Sequence, residues 1–186
     1  MPTTFKAELR TYQKEGYNWL MKLANWDVGA CLADDMGLGK TLQAIVAITQ
    51  YHKVEKEAVS IVICPTSLVY NWQEELHRFN KKLKVLVVDG VPNQRKKLLK
   101  DISNYDVVVT SYSLLQKDVD IYKKTTFGYV ILDEAQNIKN RGTRNAQSVK
   151  QLESAYKLIL TGTPIENVLT ELWSLFDFLM PGLLSS

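Results

Sequence analysis

Ala30-Cys31-Leu32-Ala33-Asp34-Asp35-Met36-Gly37-Leu38-Gly39-Lys40-Thr41 is the stretch that decides the fold. A short apolar run breaks into a loop holding Gly37 and Gly39, and Lys40-Thr41 follow at once. Glycines let the backbone turn its N–H groups inward, and a helix starting there brings its positive pole to the same point. The spacing therefore predicts a strand, a phosphate cradle and a helix. The general phosphate-loop pattern, G-x-x-x-x-G-K-[ST], wants glycine where Asp34 stands, so Gly37 and Gly39 must supply the freedom. Lys40 is placed to reach the β- and γ-phosphates, and Thr41 to offer its hydroxyl to Mg²⁺. A plain strand–turn–helix with an exposed lysine would also spell G-x-G-K-T, so the loop alone leaves both readings open.

A second apolar run, Tyr129-Val130-Ile131-Leu132, ends in Asp133-Glu134. An aspartate at a strand end can hold magnesium directly or through water, since Mg²⁺ takes few protein ligands. Glu134, one residue on, can orient the attacking water or accept its proton. The bland account is a pair of acids favoured by a helix dipole. With both halves present in this order, the chain is expected to bind a nucleoside triphosphate, and the protein it belongs to is expected to hydrolyse it. Lys40, Asp133 and Glu134 are the candidate catalytic residues.

Between these landmarks short apolar runs alternate with amphipathic stretches. The predicted strands are 30–33, 59–64, 85–88, 107–110, 129–132 and 157–160. Most are continuous apolar runs, which marks strands buried on both faces, as in a parallel sheet. Leu68, Val69, Trp72, Leu76 and Phe79 share one helical face, as do Leu169, Leu172, Trp173, Phe176 and Leu179. Ser67 is placed to cap the first of these helices and Asn167 the second. The tryptophans and Phe176 read as core. Strands alternating with helices give right-handed crossovers and a helix-covered sheet, whose ligands bind beyond the carboxyl ends of the strands. The fold class is α/β.

The chain has 186 residues, a length that suits one domain able to bury roughly 70% of its unfolded surface. No apolar stretch approaches the ~20 residues of a membrane span, and the start has no secretory pattern. Cys31 and Cys64 fit no zinc spacing and read as small hydrophobes in a reducing compartment. A net charge of +3 does not announce a nucleic-acid partner, and the lysine clusters 81, 82, 84; 96, 97, 100; and 123, 124 read as solvated faces.

With these residues in hand, the chain resembles the first RecA-like lobe of the Swi/Snf-type ATPases of helicase superfamily two, from about Leu9 to about Leu184. Leu9-Arg10-Thr11-Tyr12-Gln13 resembles the leading motif, and Asp34 to Thr41 that family's phosphate loop, Asp34 included. Ile63 to Leu68 and Thr110-Ser111-Tyr112 are similar to the segments that touch the tracking strand. Asp133-Glu134-Ala135-Gln136 resembles the acidic box, where many members have histidine in place of Gln136. Leu160 to Asn167 resembles the coupling motif, and Glu171 to Leu175 the helix after it.

The resemblance implies a three-layer RecA-like (P-loop NTPase) domain, its mostly parallel central sheet covered by helices on both faces. It implies ATP and Mg²⁺ as cofactors. Gln13 would pair with adenine, and Asp35, Met36, Gly37, Leu38, Gly39, Lys40 and Thr41 would hold the nucleotide, with Thr41 and Asp133 on the metal. Pro65, Thr66, Ser67, Thr110, Ser111 and Tyr112 would contact DNA phosphates. Gln136, Thr161, Gly162 and Thr163 would couple the two ligands. Residues 1–186 are then expected to be a single N-terminal lobe of a two-lobed motor, a DNA-dependent ATPase that translocates along double-stranded DNA and remodels DNA-bound complexes. None of the arginines falls in a motif resembling the finger segment that the second lobe supplies. A finger is worth ~10³–10⁵ in rate, so the lobe alone is expected to be monomeric and nearly inactive. The expected setting is intracellular, without membrane: cytoplasm or nucleoid in a prokaryote, nucleus in a eukaryote. An RNA helicase or restriction-system motor lobe, and a non-catalytic nucleotide- or DNA-binding module, are the alternatives.

Overall fold

The computed structural model describes residues 39–135 and 143–160 in full, the backbone of residues 30–33 and 161, and residue 178. Expectations resting on Gln13, Asp35, Met36, Gly37, Leu38, Gln136, Gly162, Thr163 and Asn167, and on the second helical stripe, lie outside the described residues.

Among the described residues six strands form one sheet: β1 (Ala30–Ala33), β2 (Ser60–Cys64), β3 (Val85–Val87), β4 (Val107–Ser111), β5 (Thr126–Leu132) and β6 (Glu153–Thr161). Their spatial order is β1-β6-β5-β2-β4-β3, and every pairing among them is parallel. Among the described residues five α-helices accompany them: α1 (Lys40–Val54), α2 (Val69–Phe79), α3 (Pro92–Lys100), α4 (Tyr112–Tyr122) and α5 (Arg144–Lys150). The carboxyl ends of these strands therefore lie at one edge, where β5 is followed by Asp133 and Gly39 leads into α1.

The apolar runs become strands because both of their faces are covered. In β2, Ile61 and Ile63 face one core with Val108, Val130, Leu132 and Ile159, under α3, α4 and α5. Val62 and Cys64 face the other, with Val109, Ile131, Leu158 and Leu160, under α1 and α2. Alternate residues of one strand thus serve two cores, the three-layer arrangement expected. The expected α2 stripe is present. Val69, Trp72 and Leu76 are buried, and Leu68 and Phe79 are partly so.

Most strand boundaries fall within one residue of the sequence reading, and two strands start three or more residues earlier. β5 starts at Thr126 and β6 at Glu153, because these residues pair with each other and the ladder runs past the apolar positions. Burial is written in side-chain type; backbone pairing is not. The expected cap also moves. Ser67 lies inside a 3₁₀ turn, Thr66–Leu68, and Leu68 occupies the residue before α2, with no side-chain cap. Cys64 is buried at the end of β2, and its thiol is pushed up to about 12 by burial, with the charge of Asp133 adding. The clustered lysines at 81, 82, 84, 96, 97, 100, 123 and 124 are all exposed. Among the described residues, no helix is long and apolar enough to cross a membrane.

Candidate active site

Gly39 precedes α1 with φ 92° and ψ −10°, a left-handed conformation that glycine adopts without steric cost. Lys40 and Thr41 open the helix directly, and Gly39 before them supplies no side-chain cap. A helix start of this kind is suited to an anion. Gly39 itself closes the first helical bond, accepting at its carbonyl from Gln43 at 2.9 Å. Lys40 is largely buried and Thr41 half-buried.

Asp133 follows β5, with only 9% of its surface exposed. All of its polar atoms are engaged. Its backbone N–H donates to the Ile63 carbonyl at 2.8 Å. Its carbonyl accepts the Tyr112 hydroxyl at 2.7 Å. Oδ1 accepts the Glu134 N–H at 2.9 Å, and Oδ2 accepts the Trp72 indole N–H at 2.8 Å. Burial pushes its carboxyl above the usual carboxylate range. The Trp72 and Glu134 hydrogen bonds and the charge of Lys40 pull it down, while Glu134 opposes them. Lys40 and Asp133, far apart in sequence, thus share one electrostatic neighbourhood.

Glu134 is half-buried and has φ 49°, the one non-glycine residue with positive φ among the described residues. Such a backbone costs an ordinary residue of order 1 kcal/mol and clusters at functional sites. Thr161 ends β6 opposite Ala33 of β1. It lies two residues beyond Ile159, the partner of Leu132, and so stands level with Asp133-Glu134. β6 therefore ends between the end of β1 and the acidic pair.

The donor set fits a magnesium-bound triphosphate. Each carboxylate oxygen of Asp133 accepts one hydrogen bond and retains a further lone pair. A buried carboxylate, a lysine and a threonine at the helix start are the chemistry such a ligand needs.

The residues expected on a polynucleotide divide. Thr66 and Ser67 are exposed and Pro65 half-buried, on the 3₁₀ turn at the carboxyl end of β2. Thr110, Ser111 and Tyr112 are instead buried. Thr110 donates to the Val88 carbonyl at 3.1 Å, Ser111 caps α4 by accepting the Leu114 N–H at 3.2 Å, and Tyr112 holds Asp133. The cause is that β4 is an interior strand running into α4 without a loop, so its last residues are enclosed. The exposed hydroxyl nearby is Ser113, in contact with Ser111 at 3.2 Å. The sequence reading missed Trp72, which it took as core alone. Its one available signal was a buried indole, whose N–H must find an acceptor.

Comparison with known proteins follows the same lines. The model of the SNF2-related domain matches residues 12–186. The TATA-binding protein-associated factor MOT1 of Saccharomyces cerevisiae is 44% identical over the whole chain, which spans 11% of that protein. The putative ATP-dependent helicase/translocase YwqA of Bacillus subtilis is 44% identical over 98% of the chain, which spans 20% of it. Among solved structures, the SWI2/SNF2 ATPase core of Sulfolobus solfataricus in complex with double-stranded DNA superposes with a TM-score of 0.92. It is 44% identical, and the match covers all of this chain and 38% of that one.

Proposed function

Because the chain belongs to the SNF2-related domain family, we propose that it is the ATP-binding lobe of a Swi/Snf-type translocase that moves along double-stranded DNA. The observation that supports this most directly is that Lys40 at the start of α1 and Asp133 after β5 stand at one edge of the sheet. Burial raises the acid's pKa, and the lysine's charge acts weakly the other way. Lys40 neutralises phosphate charge, Gly39 and the first turn of α1 donate to phosphate oxygens, and Glu134 orients the attacking water. Asp133 and Thr41 would hold Mg²⁺, which when bound offsets the charge that develops on the transferred phosphoryl group. Gln13, Asp35, Met36, Gly37 and Leu38 complete the nucleotide contacts in this reading.

Pro65, Thr66 and Ser67 would meet a DNA phosphate, as short polar side chains and free N–H groups do. The complex of the solfataricus ATPase core with duplex DNA supports that partner. Thr161, with Gly162, Thr163 and Gln136, would report one ligand to the other. The complete motor would close a second RecA-like lobe over the nucleotide, and the lobe alone, monomeric, would turn over very slowly. An intracellular setting follows from a DNA substrate.

The test is Lys40→Ala in the full-length protein. ATP turnover should fall to background while duplex-DNA affinity stays within about twofold of the parent, because Lys40 serves the phosphates and not the residues assigned to DNA. Equal loss of both would defeat the assignment. Comparing stimulation of turnover by duplex DNA, single-stranded DNA and RNA separates a duplex translocase from a helicase.

A further inference from the structure

Trp72 lies in the first turn of α2, 2% exposed, and packs in the core with Val62, Cys64 and Leu76. Packing alone would be served by phenylalanine. The indole instead aims its N–H at Asp133 Oδ2, 2.8 Å away and 61 residues along the chain. Three other bonds fix the backbone of Asp133 and one oxygen: to Ile63, from Tyr112 and from Glu134. None of these is made to the second oxygen. Among the described residues the hydrogen bond to that oxygen comes from Trp72. An indole N–H donates and cannot accept, so it holds one oxygen of a carboxylate and leaves that oxygen's other lone pair facing away from the ring.

Buried indoles ordinarily bond to whatever acceptor lies nearby. Here the acceptor is the carboxylate assigned to magnesium, and outer hydrogen bonds of this kind orient a ligand and tune its metal. Resting on the nucleotide-site reading above, we propose that Trp72 is a positioning residue that locks the Asp133 carboxylate in the orientation that receives Mg²⁺.

The experiment uses the full-length protein and a fluorescent, non-hydrolysable ATP analogue. The Mg²⁺ concentration giving half-maximal analogue binding is measured for the parent and for Trp72→Phe, which keeps the ring and removes the donor. The expected result is a rise of about tenfold in the half-point, with metal-free analogue binding unchanged and turnover recovering at high Mg²⁺. An unchanged half-point in a folded variant would overturn the proposal and leave Trp72 a packing residue. Should Trp72→Phe not fold, benzothienylalanine at position 72, with sulfur in place of the N–H, carries the same comparison. Failure of the parent itself to bind the analogue would count against the site assignment and not against Trp72.

Discussion

The guanidinium of Arg95 meets the carboxylate of Asp118 through two bonds, Nε to Oδ2 at 2.7 Å and Nη2 to Oδ1 at 3.2 Å. Its third arm, Nη1, donates to the Gly90 carbonyl at 2.7 Å. The side chains are 4% and 11% exposed, so this pair ties α3 to α4 beneath solvent. Removing one partner strands a buried charge. Asp118→Ala should therefore destabilise the fold by about 3 kcal/mol, whereas replacing both partners, Arg95→Met with Asp118→Leu, should cost much less. Urea unfolding of the two variants checks this; equal losses would show that the pair itself stabilises.

Gly128 lies under the ring of Tyr51, and a methyl group there would overlap that ring. Tyr51 stands edge-on to Tyr129 and Tyr156, with centroids 5.5 and 5.7 Å apart, so it has little room to yield. Gly128→Ala should cost about 1–3 kcal/mol, as overpacking does. Adding Tyr51→Leu should recover part of that loss. Additive losses in the double variant would refute the overlap.

Glu134 separates chemistry from stability. Glu134→Gln should leave Mg·ATP binding intact and slow hydrolysis by about 10²–10⁴-fold, the range of a lost general base. Glu134→Gly should be just as inactive yet more stable by about 1 kcal/mol, because glycine relieves the positive φ. Thermal midpoints of the two variants, compared side by side, test the second half.

His52 predicts a pH dependence. Its Nε2 lies 2.9 Å from the Ser60 hydroxyl, which accepts the Tyr129 N–H at 3.0 Å. Burial holds its pKa below the usual 6.5, with Asp106 pulling weakly the other way. Above pH 6.5 both folded and unfolded forms are neutral and nothing is lost. Below it the unfolded chain takes up the proton first, so stability falls with acid until the folded pKa is reached. Between pH 6.5 and 5.5 the loss should be at most about 1.4 kcal/mol. His52→Gln should flatten that part of the curve, and an unchanged slope would assign it to other groups.

Much of the fold is legible in the side chains alone. The runs that became β2, β4 and β5 are apolar without alternation because both their faces are covered. Ala30–Ala33 needs its strand because Gly39 must turn the chain into α1. The positions of Lys40 and Asp133 at one sheet edge follow from that pattern. The hydroxyls after β2 and β4 look alike in sequence. Thr66 and Ser67 are nevertheless exposed, while Thr110 and Ser111 are enclosed.

Residue type and spacing alone determined which segments are buried, where the backbone must turn, and that a cation and an acid stand at matching strand ends. Burial and turning are local properties, set by each residue's affinity for water and freedom in φ and ψ. Tertiary structure decided which buried polar atoms meet: Trp72 with Asp133, Arg95 with Asp118, Tyr112 with a carbonyl beside the site. A hydrogen bond depends on distance and angle between atoms brought together by the order of strands in the sheet, and no periodicity along a single chain encodes that order.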